Sequence, residues 1–243
     1  MRIFSRPLCG TLLACALGGC FGGGGSAPTR IEANDDSVFV PTVRAVWNLT
    51  GPKETLSEPR SGLAVEFGAM TASGNGSQSI SGTRQPVAFG GQTFSLPQTL
   101  QHDFRITHYD LFYRWRRFLG GGPVGFEVLG GAAFTKLRLT VSSTTQQAAE
   151  TFSSPGPSAG VGVIGRMRPG TSVQVRYTYT AFISNSDLNQ AQRGEGFLVQ
   201  ALGPNAAARA GYAWWRGDAR RGTSVSDIGI GFSGPSLGLE LQF

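Results

Sequence analysis

The chain has 243 residues and a formal net charge of +6, from 21 basic and 15 acidic side chains. Charged residues make up only 15% of it, aromatic residues make up 10%, and glycine occurs 36 times, a composition that excludes a disordered chain and a helical bundle. No apolar run after residue 20 approaches the roughly 20 residues that a membrane-spanning helix needs. The composition therefore favours a single all-β unit.

The first twenty residues predict an export signal. The basic residues Arg2 and Arg6 precede an apolar run over residues 8–17, and this run has the length of a signal-peptide core. The run ends in the sequence LGGC, whose last residue is Cys20. This ending resembles the bacterial lipobox, in which the cysteine receives a lipid before the signal is cut. The resemblance implies a lipoprotein signal peptide over residues 1–19 and lipidation at Cys20.

Cleavage before Cys20 leaves a mature chain with one cysteine, and a lipid on its sulfur excludes a disulfide. The mature chain carries 19 basic and 15 acidic residues without a basic run, so no nucleic-acid partner is expected. The resemblance to bacterial lipoproteins also implies a destination: Phe21 stands where an aspartate signals inner-membrane retention in enteric-type sorting, so delivery to the outer membrane by the lipoprotein sorting machinery is expected. Residues 20–60 are predicted to be a flexible tether with a short ordered segment, because Pro41 and Pro59 interrupt the apolar pattern.

From residue 61 onward, apolar and polar residues alternate, which predicts strands with two different faces. Two of the eight segments change phase, the third near residue 135, where a β-bulge is expected, and the eighth at Gly234-Pro235. In the sixth segment Phe197 and Val199 are assigned to the apolar face. The eight segments cover residues 63–70, 101–118, 124–142, 161–168, 173–180, 197–201, 206–214 and 228–243.

The connections between these segments fall into two length classes. Short turns are expected at 120–123, 169–170 and 203–205, and longer polar loops at 73–100, 143–156, 184–193 and 217–224. Short turns at one end and long loops at the other are typical of outer-membrane barrels. With both termini on the short-turn side the strand number must be even. We therefore predict an all-β fold for residues 61–243: an eight-stranded antiparallel up-and-down transmembrane β-barrel with short periplasmic turns and four longer extracellular loops.

Arginine dominates the charged face of the predicted strands. An eight-stranded barrel is just wide enough for side chains to fill, and the planar guanidinium binds carboxylates while it stays charged. We therefore expect an ionic network inside the barrel, with a solvated arginine face as the alternative. Its predicted members are Glu66, Asp110, Arg114, Arg116, Glu127, Arg166, Arg168, Arg176, Arg209 and Glu240.

Aromatic residues and the C-terminus favour a membrane location. Tyr113 and Trp115 precede a short turn, and further aromatic residues lie toward the long loops, which predicts two girdles at the membrane surfaces. The same residues would also suit the core of a β-sandwich. The alternating run 237–243 ends on Phe243 and resembles the terminal signature of outer-membrane proteins, which implies that the barrel assembly machinery reads it. Residues 61–243 thus resemble, by architecture, the eight-stranded barrel families of OmpA, OmpX and OmpW type.

The sequence offers little enzyme chemistry. His102 and His108 lie six residues apart without an evident third ligand, so neither a metal site nor a cofactor is expected. The segment Phe182-Ile183-Ser184-Asn185 resembles the His-x-Ser-Asn segment of the outer-membrane lipid A deacylases, with Glu195 near an acidic position of that family. Phe182 replaces the histidine that would accept the serine proton. No enzyme activity is expected, and a degenerate deacylase-like barrel remains an alternative.

A further alternative is a soluble barrel held at the cell surface. Residues 20–26 and the turn at residues 203–206 resemble the tether and a barrel turn of surface lipoproteins similar to transferrin-binding protein B. That resemblance implies binding of a host protein or another ligand.

We expect an outer-membrane lipoprotein barrel, lipid-anchored and integral, that acts as a structural or surface-binding protein through its loops, chiefly 73–100. It is expected to be a monomer and not a porin. Its expected partners are the outer-membrane lipid bilayer, the barrel assembly and lipoprotein sorting machinery, and a surface ligand. Arg216, Arg220 and Arg221 near the fourth loop either contact lipopolysaccharide phosphates or are simply solvated.

Overall fold

The computed structural model describes residues 31–50, 59–80, 87–95, 98–183, 188–219 and 228–243. These ranges are almost entirely β-strand, with one short 3₁₀ turn at Leu119–Gly121, so the predicted all-β class is confirmed. No helix within them is long and apolar enough to cross a membrane. The strands are β1 (Ile31–Asp35), β2 (Val40–Thr50), β3 (Gly62–Ile80), β4 (Val87–Phe89), β5 (Gln92–Phe94), β6 (Gln98–Phe118), β7 (Val124–Ser142), β8 (Gln147–Arg168), β9 (Thr171–Ala181), β10 (Leu188–Ala201), β11 (Ala206–Ala219) and β12 (Ile228–Gln242).

Ten of these strands form one sheet, in the order β1-β12-β11-β10-β9-β8-β7-β6-β3-β2. Along this order from β12 through β11 to β2, each strand is antiparallel to the next one, as expected for strands joined by consecutive hairpins. β12 also pairs in parallel with β2, from Ser236 opposite Val40 to Gln242 opposite Val46. This last pairing joins the two ends of the order, so nine long strands form a hydrogen-bonded cycle.

The predicted strand number of eight was wrong, because the sheet begins inside the segment predicted as a tether. β1 and β2 both run parallel to β12, β1 along its first half and β2 along its second half. Pro41, which argued against a strand, is only the second residue of β2. A missing N–H near a strand end costs little pairing. Ile31 therefore lies at the long-loop end and Phe243 at the short-turn end, whereas both termini were expected on the short-turn side.

The strands extend well into the segments predicted as long loops. β3 continues to Ile80, β6 starts at Gln98 and β8 starts at Gln147. Inside the longest predicted loop, β4 and β5 form a hairpin around Gly90 and Gly91, whose φ angles are 57° and 74°. Two consecutive residues in this left-handed region form the tight turn that suits a hairpin. The predicted loops are therefore shorter and more ordered than their composition suggested.

Polarity reverses along the long strands. We call the part of the sheet next to the short turns the short-turn half and the part next to the predicted long loops the long-loop half. In the short-turn half of β7 the exposed face carries Val124, Phe126 and Val128. In its long-loop half, Leu137 and Leu139 are buried on the opposite face. β7 nevertheless pairs without a register shift with β6 and with β8. The β-bulge expected near residue 135 was wrong, because the phase of the apolar pattern changes while the backbone phase does not. β12 shows the same reversal: Ile230 is buried and Leu239 is exposed.

The long-loop half encloses an apolar core, here called the apical core, to which most of the long strands contribute. The hairpin β4–β5 adds Val87, Phe89 and Phe94, all at most 1% exposed. Phe104 and Trp215 both stack against Phe232, with ring centroids 6.1 and 5.9 Å apart. The hairpin is thus packed as part of this core and is not a free loop.

Candidate functional site

Among the residues that the structure describes, eleven charged side chains are buried in the short-turn half, where they form what we call the ionic cluster. They come from eight of the nine strands of the cycle, and each side chain lies on the face opposite the exposed apolar residues. Six are arginines and five are carboxylates, so their charges nearly balance. The members are Arg44, Glu66, Asp110, Arg114, Arg116, Glu127, Arg176, Arg193, Glu195, Arg209 and Glu240.

Arg176 on β9 lies at the centre of the cluster. Its Nη1 donates to Glu66 Oε1 at 2.5 Å, and its Nε donates to Glu127 Oε2 at 2.6 Å. Glu127 also accepts from Arg116 Nε at 2.7 Å, and Glu66 lies 2.8 Å from Arg44 Nε. Each of these two carboxylates therefore bridges at least two guanidinium groups, the arrangement that makes buried ion pairs tolerable.

Arg44 on β2 connects this centre to a second group of charges. Its Nη2 donates to Glu195 Oε1 at 2.5 Å, and its Nη1 lies 3.6 Å from Glu240 Oε2. Arg209 lies 3.5 Å from Glu195 and 3.6 Å from Glu240. Arg193 donates to Asp110 Oδ2 at 2.7 Å. The ion pairs thus form one connected network.

Several of these pairs join strands that are not neighbours in the sheet. Arg176 on β9 reaches Glu66 on β3, and Arg44 on β2 reaches Glu195 on β10. Side chains of one sheet make such contacts only if its buried face curves toward itself. The ionic cluster therefore occupies the space that the cycle of strands surrounds.

Two glycines make room for these charges. A Cβ at Gly68 would overlap the carboxylate of Asp110. A Cβ at Gly162 would lie 2.9 Å from Arg176 Cγ and 3.1 Å from Glu127 Oε2. Glycine at both positions lets large charged side chains from adjacent strands lie flat across the sheet.

The structure brings eight of the ten predicted interior residues into the cluster. Arg166 and Arg168 are not among them and lie at the short-turn end. The Arg166 guanidinium lies 3.6 Å from the centroid of the Phe118 ring and donates to the Pro59 carbonyl at 2.5 Å. Arg168 is exposed and donates to the Thr171 hydroxyl at 3.2 Å.

Sequence reasoning missed three members of the cluster. Arg44 was hidden in the predicted tether, and Arg193 in a predicted loop. Glu195 was singled out only for its deacylase-like position. Glu195 follows Arg193 at i+2, a same-face spacing that would have found both once β10 was extended. The prediction that Phe197 and Val199 lie on the outer, apolar face of β10 was also wrong. Each is only 2% exposed, and Arg209 lies over the Phe197 ring at 4.0 Å.

Both histidines are buried on the inner face of β6. His108 Nδ1 lies 2.8 Å from Thr135 Oγ1, within hydrogen-bond distance, and its Nε2 lies 3.8 Å from Asp110 Oδ2. Burial lowers the pKa of His102, although the Asn34 carbonyl and the carboxylates of Asp35 and Asp103 oppose this shift. Within the described residues no group of three metal-ligating side chains occurs.

The outer face of the short-turn half is apolar, and we call it the outer band. Tyr113 is 63% exposed and Val161 is 57% exposed. Tyr113 and Trp115, predicted for one girdle, are exposed on this face, as are Tyr177, Tyr179 and Tyr212, which belong to the aromatic residues predicted for the girdle toward the long loops. Phe243, the predicted assembly signal, also lies here and stacks on Trp47 with ring centroids 5.4 Å apart.

The outer face of the long-loop half is polar. Two grooves lie there on adjoining parts of β3, β6 and β7. The larger measures about 560 Å³ and is lined by polar side chains that include Asn75, Gln101 and Asp103. The smaller measures about 230 Å³ and is lined by Asp103, Arg105, Arg138 and Thr140. These grooves place charged and hydrogen-bonding groups above the outer band.

The deacylase-like segment offers no assembled catalytic group within the described residues. The Phe182 side chain is buried in the apical core, and Ser184 and Asn185 lie outside the described ranges. Cys20, Arg220 and Arg221 also lie outside them. No protein-family model, curated protein or solved structure matches this chain.

Proposed function

We propose that this chain is an integral outer-membrane lipoprotein. Its short-turn half is a nine-stranded transmembrane β-barrel, and its long-loop half projects from the membrane as a binding platform. One observation carries the proposal: charged side chains are buried and apolar side chains exposed in the short-turn half, while the long-loop half has the opposite arrangement. This reversal fits a molecule whose short-turn half faces lipid and whose long-loop half faces water.

The free energy of solvation supports this interpretation. Burying charges is costly even when they are paired, and exposing apolar surface to water costs about 25 cal/mol per Å². The short-turn half does both at once, which would oppose folding in water. Against lipid the same arrangement is favourable, because the outer band meets hydrocarbon while the ionic cluster stays away from it.

The height of the outer band supports a membrane span. On β7 the outer face is free of charge from Val124 to Phe134 and gains its first charge at Lys136. At about 3.4 Å per residue, the stretch from Val124 to Phe134 is about 34 Å long. A strand tilt of about 40° makes this a height of about 26 Å, close to the apolar band of outer-membrane barrels.

The ionic cluster argues for a structural and binding role rather than solute passage. Its side chains occupy the space inside the cycle of strands, and the apical core covers the end toward the long loops. The proposed barrel is therefore not a porin. We expect the polar outer face and the loops of the long-loop half to bind ligands.

The position of Ile31 suggests where a lipid at Cys20 would insert. β1 starts at the long-loop end of the sheet. The ten residues between Cys20 and Ile31 span at most about 36 Å when fully extended. We therefore place the acyl chains in the membrane leaflet on the long-loop side, so that the chain would be both lipid-anchored in this leaflet and integral through its barrel.

The strongest competing function is a soluble surface lipoprotein. The apical core favours it, because in the long-loop half apolar residues are inside and polar residues outside. The outer band opposes it, since residues such as Val175 and Leu237, each 55% exposed, would face water.

Extraction of the Cys20→Ala protein tests the proposal, because this change removes the lipid but not the outer band. We expect the variant to stay in membranes after carbonate or urea washing. We also expect it to need detergent for solubility and to migrate faster on SDS gels before boiling than after. Release by carbonate without detergent would overturn the proposed barrel and support the soluble alternative.

A further inference from the structure

The outer face changes from apolar to polar along β3, β6, β7 and β8, and on β6 and β7 it becomes basic within four residues. Side chains opposite one another on β3, β6, β7 and β8 form rows across the sheet. The last row of the outer band is Ala69, Tyr109, Phe134 and Pro155. The next row toward the long loops is Thr71, Thr107, Lys136 and Ser153, and the one after it is Ser73, Arg105, Arg138 and Thr151.

These two rows contain three cations and no carboxylate. Lys136, Arg105 and Arg138 are all exposed on the outer face. Within the described residues none of the three has a salt bridge. Arg105 lies directly opposite Arg138 on the adjacent strand. Like charges in this position destabilise a sheet, and an anion bound between them removes the penalty.

The surroundings of the two arginines fit a phosphate. They line the smaller groove, of about 230 Å³, together with Asp103 and Thr140. Asp103 lies one row further from the outer band than Arg105, so the side of the groove nearest the band is purely basic. The guanidinium fork matches phosphate oxygens in pairs, and the flexible lysine adds a third positive charge.

The height of the cations selects a lipid as the source of that phosphate. One row corresponds to about 7 Å along a strand, or about 5 Å of height at a strand tilt of about 40°. Lys136 therefore lies about 5 Å and the two arginines about 10 Å beyond the last apolar row, at the depth of lipid headgroups. Long basic side chains next to an apolar band bind anionic headgroups at this depth.

We propose that Lys136, Arg105 and Arg138 form a binding site for the phosphate groups of a phosphorylated glycolipid in the leaflet on the long-loop side. The inference rests on the proposed transmembrane barrel. It adds a site for a lipopolysaccharide-type partner that differs from the Arg216 to Arg221 region considered from the sequence.

Lipid binding by the full chain in detergent micelles tests the site. The probes are bisphosphorylated lipid A and the same lipid with its phosphates removed, and bound lipid is counted by native mass spectrometry. Arg105→Gln combined with Arg138→Gln should weaken binding of the bisphosphorylated lipid about 25-fold, at about fivefold per cation near a membrane surface. The dephosphorylated lipid should bind weakly, and equally so, to the original protein and to the double variant.

Arg117→Gln is the matched control, because Arg117 is an exposed arginine on the same strand at the short-turn end, opposite Phe126. It should change binding less than about twofold, since it lies near the opposite membrane surface. Equal losses in the control and the double variant would overturn the site, as would unchanged binding in the double variant. Displacement of the lipid by an equal concentration of inorganic phosphate would overturn the assignment to a lipid.

The failure of this site is distinguishable from the failure of the barrel. If the double variant keeps heat-dependent migration on SDS gels but binds lipid like the original protein, only the site is wrong. If the original protein stays soluble without detergent, the transmembrane barrel itself is wrong, whatever the lipid measurement gives.

Discussion

Arg176 shows how single residues hold the short-turn half together. Its guanidinium reaches from β9 to Glu66 on β3 and to Glu127 on β7, neither of which is a neighbour of β9 in the sheet. Removing one partner from such a buried group leaves an unpaired charge, which costs far more than the pair itself contributes. The ionic cluster therefore favours one arrangement of strands over alternatives in which these side chains would not meet.

Glu127→Gln tests this cross-linking. The change keeps the shape of the side chain but removes the charge that faces both Arg116 and Arg176. We expect the free energy of unfolding, measured by urea titration in detergent, to fall by about 3–5 kcal/mol. Arg117→Gln, which removes an exposed charge, should change it by less than about 0.5 kcal/mol. Equal stability of the two variants would show that the ionic cluster does not support the fold.

Residue type alone identified most of the ionic cluster. Arginines and carboxylates recur at the polar positions of alternating segments, so Arg114, Arg176 and Glu127 were recognisable without a structure. Their partners were not, because pairs such as Arg44 and Glu195 are 151 residues apart in the chain. Only closure of the sheet brings these two side chains together.

At the scale of elements, β7 shows why the alternation of apolar and polar residues alone predicts a β-bulge where the strand has none. Its backbone keeps one phase throughout, with odd-numbered residues on the inner face. The apolar residues change face because the outer surface is apolar in one half and polar in the other. A change of phase in the sequence thus has two possible physical causes, a bulge or a change of surroundings, and the ladder of hydrogen bonds distinguishes them.

The contact between β2 and β12 closes the cycle of strands, and Phe243 lies at its end. The Phe243 N–H donates to the Val46 carbonyl at 2.9 Å, and its carbonyl accepts from the Asn48 N–H at 3.5 Å. Its ring stacks on Trp47. The last residue of the described chain therefore contacts the first long strand of the cycle.

Deletion of Phe243 should weaken this closure. The stack with Trp47 and the two backbone hydrogen bonds contribute about 2–3 kcal/mol together, so the fraction of folded protein on unboiled SDS gels should fall markedly. Leu202→Ala is the control, since Leu202 is an exposed apolar residue, 65% accessible, outside the strands. A smaller effect of the Phe243 deletion than of the Leu202 change would contradict a role in closure.

At the scale of the whole molecule, the cycle contains nine strands, an odd number, so its closing pair of β12 with β2 is parallel. In an antiparallel cycle with an even number of strands both termini lie at one end. Here Ile31 and Phe243 lie at opposite ends. In a membrane, Ile31 and Phe243 would therefore lie on opposite sides.

Epitope tags test this arrangement. A tag inserted after Ser26 should bind antibody on intact cells, whereas a tag inserted in the short turn at residues 203–205 should require permeabilised cells. We expect a signal ratio of at least about 10 between the two tags on intact cells, because a folded antibody does not cross a closed membrane. Equal labelling, or the reverse order, would contradict the proposed orientation.

The sequence by itself determined the strand class, the positions of the short turns and the charged residues of most of the ionic cluster. These properties follow from local alternation, because neighbouring side chains point to opposite faces of a strand. The strand number, the parallel closure and the reversal of polarity required the tertiary structure. They depend on which distant segments pair, and on what each face meets after pairing. Among the described residues, the buried cluster of six arginines and five carboxylates and the exposed cations Lys136, Arg105 and Arg138 on β6 and β7 emerge as groups only once the strands are paired.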